Sequence, residues 1–213
     1  MNLELFAREP GQRQLGDGAV LLSGFADGDG PALLAAIEAI AAAAPFRQMV
    51  TPGGFTMSVA MTNCGTAGWV SDERGYRYDR IDPTSGRPWP ALPPLFSDLG
   101  RRAAEAAGFA AFAPDACLVN RYIPGTRLSL HQDRNERDLA APVVSISLGL
   151  PAVFQWGGLT RATRPRRVPL AHGDVVVWGG PSRLAFHGVL PLADGDHPLA
   201  GRHRFNLTLR AAL

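Results

Sequence analysis

From residue 116 onward, apolar and polar positions alternate in short runs separated by Pro- and Gly-rich turns: 116–123, 126–133, 143–150, 152–156, 167–170, 174–178, 184–189 and 203–210. A period of two sends successive side chains to opposite faces of an extended chain, so each run reads as a strand. Eight such strands suit an antiparallel double-sheet roll. Ahead of them the pattern changes. A short strand is expected at 18–25, after which Pro31 opens a helix whose Leu33, Leu34, Ile37 and Ile40 recur at helical spacing as far as Pro45. Past the turn Thr51-Pro52-Gly53-Gly54, the residues Phe55, Met57, Val59 and Met61 alternate with Thr56, Ser58, Ala60 and Thr62. That strand has one Met-lined face, suited to a core or to a wall that repacks around a ligand. A second helix, over 95–107, carries Leu95, Leu99 and Ala103 on one side and stops at Gly108.

Length changes this picture little. A chain of 213 residues, 46% hydrophobic, is expected to form one globular domain, mainly β with flanking helices. The longest apolar run, 32–44, is broken by Glu38 and too short to span a bilayer. The first ten residues include Glu4, Arg8 and Glu9, which do not fit a secretory signal, and Cys64 and Cys117 follow no metal-binding spacing. These features lead us to expect a soluble cytoplasmic protein with reduced thiols and no membrane partner.

Charge adds one clue. Net charge is +2, and all 21 basic residues are Arg, whose planar fork recognises phosphate and carboxylate in bidentate fashion. A GC-rich genome gives the same Arg bias, so composition alone names no ligand. Trp69, Tyr76 and Tyr78 interleave with Arg74, Arg77 and Arg80, a pattern open to two readings: a surface that stacks bases, or ordinary hairpin packing.

The candidate chemistry centres on Ser129-Leu130-His131-Gln132-Asp133. On an extended strand, His131 and Asp133 present an imidazole and a carboxylate to one side, and His187 on a later strand is placed to add a third donor. Two histidines and one carboxylate leave other positions of an octahedral ion open, which suits a non-haem Fe(II) centre that activates dioxygen. In the last strand, Arg204, Asn206, Thr208 and Arg210 share a face, with Phe205, Leu207 and Leu209 opposite. Either the polar face meets solvent, or it is interior, where two guanidiniums require an anion such as a dicarboxylate. Asn120 and Tyr122, also two apart, are placed to add hydrogen bonds.

Taken in order, Asn-x-Tyr, His-x-Asp, a distal His and Arg-x-Asn-x-x-x-Arg resemble the Fe(II)- and 2-oxoglutarate-dependent dioxygenases, specifically the AlkB family of nucleic-acid dealkylases. The likeness runs from about Phe46 to Arg210, and the phrases Pro45-Phe46-Arg47-Gln48-Met49-Val50-Thr51-Pro52-Gly53-Gly54 and Ser129-Leu130-His131-Gln132-Asp133 are similar to bacterial members. The resemblance implies a double-stranded β-helix, or jelly roll, in a single domain over 1–213: an N-terminal strand and helix over about 1–45, a nucleotide-recognition lid over about 46–92, and the core over about 93–213. It implies Fe(II) held by His131, Asp133 and His187, with 2-oxoglutarate and dioxygen as cosubstrates. Arg204, helped by Tyr122 and Asn206, would pair with the distal carboxylate of 2-oxoglutarate, while Arg210 and Asn120 would serve its metal-chelating end. Trp69, Tyr76 and His131 match residues that sandwich an extruded base. Thr51, Met57, Met61 and Arg161 match lid and rim contacts, and Arg127 and Arg134 stand where basic residues meet phosphate.

Two positions depart from the best-known member: Asn135 replaces an Asp, and Phe55 replaces a Tyr. The implied reaction is oxidative demethylation of 1-methyladenine and 3-methylcytosine in DNA, with RNA as a further candidate; the expected partner is alkylated single-stranded DNA, with double-stranded DNA next, and a monomer is expected because the site needs an exposed groove. The rival readings are a hydroxylase of a non-nucleic substrate with the same iron chemistry, and a non-catalytic metal-binding module that binds nucleic acid.

Overall fold

A computed structural model describes residues 11–213; the stretch 1–10, read above for a signal, lies outside the described residues. In chain order come β1 (Gly11–Gly16), β2 (Ala19–Ser23), α1 (Gly30–Ala43), β3 (Arg47–Val50), β4 (Thr56–Gly65), β5 (Gly68–Asp72), β6 (Gly75–Asp79) and α2 (Pro94–Ala106). The remaining strands are β7 (Ala116–Tyr122), β8 (Leu128–His131), β9 (Val143–Gly149), β10 (Ala152–Trp156), β11 (Arg166–Leu170), β12 (Val175–Trp178), β13 (His187–Val189) and β14 (Arg204–Arg210).

The last eight strands form two four-stranded antiparallel layers, β12-β9-β14-β7 and β11-β10-β13-β8. This is the expected jelly roll. The first layer grows to eight strands because the β1–β2 hairpin adds to one edge and β4 with β3 to the other. Within 46–92, therefore, β3 and β4 belong to the main sheet, and the β5–β6 hairpin stands as a separate two-stranded sheet.

Alternation along each strand sorts side chains between two cores. Val175 and Val177 of β12, Ile146 and Leu148 of β9, and Leu207 and Leu209 of β14 pack under the helices, against Leu33, Ile37, Phe96 and Leu99. Val176 and Trp178 face the other way, with Phe154, Trp156 and Tyr122 between the layers. Each fully buried Leu or Ile contributes about 1.5–3 kcal/mol. Both helices present apolar residues at the expected spacing, and α2 ends as expected at Gly108, whose φ of +89° favours glycine.

Three local expectations need correction. β1 was missed because its Gln12, Arg13 and Gln14 are exposed and carry no apolar alternation; it is held by backbone pairing to β2. The strand expected to reach Asp133 stops at His131, and β13 begins only at His187 after a turn at Gly180–Ser182. The solvent-facing reading of β14 is overturned: Arg204 is 1% exposed and Arg210 6%. One face of that strand meets the second layer and the other meets the helices. No helix among the described residues is long and apolar enough to cross a membrane.

Candidate active site

His131 and His187 are directly opposed in the β8–β13 ladder, which brings their ring centroids to 4.4 Å. Gly188 makes that approach possible, since a Cβ there would stand 2.7 Å from the Leu128 carbonyl oxygen. Each ring is oriented by the carbonyl two residues back: His131 Nδ1 lies 2.8 Å from Ser129 O, and His187 Nδ1 lies 3.0 Å from Ala185 O. An Nδ1–H donating there leaves the Nε2 lone pair free for a metal. Both Nε2 atoms turn toward Asp133, at 3.7 Å from Oδ1 for His131 and 3.9 Å from Oδ2 for His187. The three donor atoms lie within 4.8 Å of one another, within reach of one ion.

Electrostatics prepares these groups to be ligands. Burial alone would raise the Asp133 pKa, but Arg210, His187 and His131 outweigh it and hold the carboxyl well below the usual range. Burial, seconded by His131, lowers His187 to about 4, so its imidazole is neutral near pH 7. Asp133 lies beyond the end of β8, and other bonds fix it in place. Arg210 donates to Asp133 Oδ2 from Nη2 at 2.7 Å and Nε at 3.1 Å. Gln132 Nε2 donates to Leu184 O at 2.6 Å, and Arg183 Nη1 donates to Asp133 O at 2.7 Å.

Deeper between the layers, Arg204 donates from Nη2 to Ser147 Oγ at 2.9 Å and lies 4.9 Å from the centre of the Tyr122 ring. Among the described residues its Nε and Nη1 are buried without a hydrogen-bond partner, as is Asn120 Oδ1. A buried guanidinium with unused donors is costly in isolation, so its surroundings suit an incoming carboxylate. Asn206 is already engaged: its Nδ2 donates to Ser145 Oγ at 2.8 Å and to Ile146 O at 3.1 Å, and its Oδ1 accepts from Asn120 Nδ2 at 3.2 Å. It therefore orients Asn120.

Above this pair of sites opens a cleft of about 900 Å3. The structure brings all the candidate site residues to its walls. His131, Asp133, His187, Asn120, Tyr122 and Arg204 line it with Asn206 and Arg210 on the inner side, and Thr51, Met57 and Met61 form one wall. Trp69, Tyr76, Asn135, Arg127, Arg134 and Arg161 line it as well. Trp69 and Tyr76, from adjacent strands of the β5–β6 hairpin, stack on each other with centroids 5.6 Å apart and planes 14° from parallel. Trp69 Nε1 donates to Asn135 Oδ1 at 3.2 Å, so the uncharged Asn135 keeps a hydrogen-bonding role. Arg127, Arg134 and Arg161 have no carboxylate partner among the described residues, unlike Arg77 with Asp72 or Arg102 with Asp29. Arg161 lies over the Phe186 ring at 5.7 Å.

This geometry has relatives. A family profile described as the 2OG-Fe(II) oxygenase superfamily matches residues 18–210. The alpha-ketoglutarate-dependent dioxygenase AlkB of Escherichia coli (strain K12) is 58% identical over 211 residues, covering 99% of this chain and 98% of that one. This chain belongs to the AlkB family of 2OG-Fe(II) dioxygenases. The solved structure of OsALKBH1 superposes with a TM-score of 0.83 at 29% identity, covering 94% of this chain and 99% of that one. A shorter match, 36% identical over 114 residues, is to the tRNA demethylase abh1 of Schizosaccharomyces pombe and covers 51% of this chain and 36% of that one.

As an AlkB-family dioxygenase the chain uses Fe(II), 2-oxoglutarate and dioxygen. Its own residues fit that set: a two-histidine, one-carboxylate donor group lies beside a buried guanidinium with unused donors. Sequence reasoning passed over four residues here. Ser145 and Ser147 are two apart on β9 and meet Asn206 and Arg204, a same-face relation visible once the strand was assigned. Glu136 and Arg183 form a buried ion pair at 3.0 Å across 47 residues, for which no local pattern gives a signal.

Proposed function

We propose that this dioxygenase removes N-alkyl groups from nucleic-acid bases, with 1-methyladenine and 3-methylcytosine in single-stranded DNA as its substrates. The observation that carries the reading is the stacked Trp69–Tyr76 pair and, without a carboxylate partner among the described residues, Arg127, Arg134 and Arg161 around one cleft, with the His131–Asp133–His187 donors and Arg204 at its base. When bound, iron with 2-oxoglutarate and dioxygen supplies the oxidant that turns an N-methyl carbon into a hydroxymethyl group, which leaves as formaldehyde.

The chain's own residues bind and orient. His131, Asp133 and His187 would hold Fe(II). Arg204, with Tyr122, would pair with the distal carboxylate of 2-oxoglutarate, while Arg210 and the Asn120 amide that Asn206 orients would meet its chelating end. Trp69 and Tyr76 offer an aromatic surface to a base whose other face meets His131, and the Thr51, Met57 and Met61 wall excludes water. Arg127, Arg134 and Arg161 would neutralise backbone phosphates. A base must leave the stack to reach the iron, which costs least in single strands and where methylation already blocks the pairing edge.

The whole chain acts as one domain and as a monomer, because the cleft must stay open to a polymer, with 46–92 serving as the substrate lid. A reducing cytoplasm suits its two buried free thiols, Cys64 and Cys117. Incubation with Fe(II), ascorbate, 2-oxoglutarate and oligonucleotides bearing either methylated base, followed by mass spectrometry, tests the reading. Loss of one methylene mass from DNA is expected, with the RNA counterpart as a parallel arm. Unchanged masses alongside intact, iron-loaded protein would reject it.

A further inference from the structure

Glu136 joins two parts of the molecule that the backbone ladders leave separate. Its side chain is 2% exposed. Oε1 accepts from the Tyr78 hydroxyl at 2.7 Å and lies 3.3 Å from Arg210 Nε, while Oε2 accepts from Arg183 Nη2 at 3.0 Å. Through Arg210 it reaches the Asp133 carboxylate, and through Arg183 it reaches the Asp133 carbonyl and Ala141 O, the latter at 2.9 Å. Arg183 itself sits four residues before His187. Tyr78 lies on β6, directly opposite Trp69 of β5. The hairpin that carries the aromatic surface is thus tied by a single hydroxyl to the charges that fix a metal-facing carboxylate.

We propose that Glu136 is a positioning residue for the metal centre, and that the Tyr78–Glu136 bond couples occupancy of the base site to that of the iron and 2-oxoglutarate site. The second part rests on the nucleic-acid reading above; the first does not. Two buried carboxylates here face two guanidiniums. Removing the charge of Glu136 throws that of Arg210 wholly onto Asp133, which weakens Asp133 as a cation ligand. Deleting the Tyr78 hydroxyl changes no formal charge but cuts the direct bond from the hairpin to Glu136, leaving the Trp69–Asn135 bond in place.

The experiment uses full-length protein and Mn(II) as a catalytically silent probe. Glu136→Gln should bind Mn(II) about tenfold more weakly than wild type (one decade corresponds to about 1.4 kcal/mol), whereas Tyr78→Phe should stay within about twofold, the chosen limit for no effect. In wild type saturated with Mn(II) throughout, 2-oxoglutarate should tighten binding of a 1-methyladenine oligonucleotide about fivefold or more, and the oligonucleotide should tighten 2-oxoglutarate binding by the same factor. In Tyr78→Phe both factors should collapse toward one. A Glu136→Gln protein with a lowered melting temperature but unchanged Mn(II) affinity would overturn the positioning role, leaving Glu136 merely structural. If Glu136→Gln fails to fold, Tyr78→Phe, which removes one oxygen, decides: retained coupling, or no coupling in wild type that does bind the oligonucleotide, overturns the proposal. If wild type binds no oligonucleotide, the nucleic-acid reading and with it the coupling fall, and the Mn(II) comparison alone decides the role of Glu136.

Discussion

Arg210 Nη2 lies 2.7 Å from Asp133 Oδ2, and both residues are buried between the sheet layers. The guanidinium engages one carboxylate oxygen and leaves Oδ1 turned toward His131. Replacing Arg210 by Met strands two carboxylates, Asp133 and Glu136, with only Arg183 to balance them. Breaking a buried pair in this way costs about 3–5 kcal/mol. Urea denaturation of metal-free Arg210→Met should show a loss of that order, and added Mn(II) should restore part of it, since a divalent cation substitutes for the missing charge. A variant as stable as wild type would show that the pair is not what balances Asp133.

Arg204 poses the opposite case, because Nε and Nη1 are buried without a hydrogen-bond partner among the described residues. Met at this position removes an incompletely paired charge, so Arg204→Met should melt no lower than wild type in the absence of cosubstrate. Only the wild type should then respond to 2-oxoglutarate. At a concentration one hundredfold above its dissociation constant, 2-oxoglutarate should add about 2.7 kcal/mol of stability to the Mn(II)-loaded wild type and nothing measurable to the variant. Thermal shift measurements with and without 2-oxoglutarate check this. An equal shift in both proteins would remove Arg204 from the cosubstrate site.

Trp69 and Tyr76 stack on each other at the cleft, and a base entering there would extend or part that stack. Base–aromatic stacking contributes about 1–3 kcal/mol per base. Trp69→Ala should therefore bind a 1-methyladenine oligonucleotide roughly 5- to 150-fold more weakly by fluorescence anisotropy in the presence of Mn(II) and 2-oxoglutarate. The unmethylated strand, which has less tendency to present a base, should lose less. Equal losses for the two strands would assign Trp69 to the backbone track and not to the base.

What could be read in advance follows the range of each interaction. The eight strands of the roll and both helices were legible because apolar periodicity is local, and the candidate donor cluster was legible because His131 and Asp133 are neighbours in the chain. The inward face of β14 was not legible from its own residues. The polar face with Arg204 suits solvent as well as an interior, and what decides is that α1 and α2 cover one side of the sheet and β10 and β13 the other. The family resemblance supplied that knowledge before any coordinate did. Nothing comparable pointed to Arg183 and Glu136, whose pairing exists only because the turn before His187 and the segment after Asp133 meet. β1 was missed for a related reason, since a polar edge strand is held by its partner's backbone and leaves no mark in the side-chain pattern.

The pH dependence of stability follows from His187. Its pKa falls from 6.5 to about 4 on folding, mainly through burial and then through the charge of His131. Between those values the unfolded chain holds a proton on this residue and the folded chain does not. Unfolding therefore takes up protons, and stability must rise with pH across the window and fall as pH drops through it, by at most about 1.4 kcal/mol per pH unit for one site. His172, lowered by burial and by His197, adds a contribution of the same sign. Asp133 adds nothing in the upper part of this range; its folded carboxyl stays ionised, and its stabilisation begins to be lost only near the acidic end, where the unfolded carboxyl takes up protons, and goes on being lost below it. Urea denaturation of metal-free protein at several pH values across the window should show the slope in wild type and a shallower one in His187→Gln, the remainder being attributable to His172 and, toward the acidic end, to Asp72, Asp82 and Asp133, whose carboxyl pKa values folding lowers. Identical slopes in the two proteins would mean that His187 keeps its proton in the fold, and a ligand in that state has no lone pair to offer a metal.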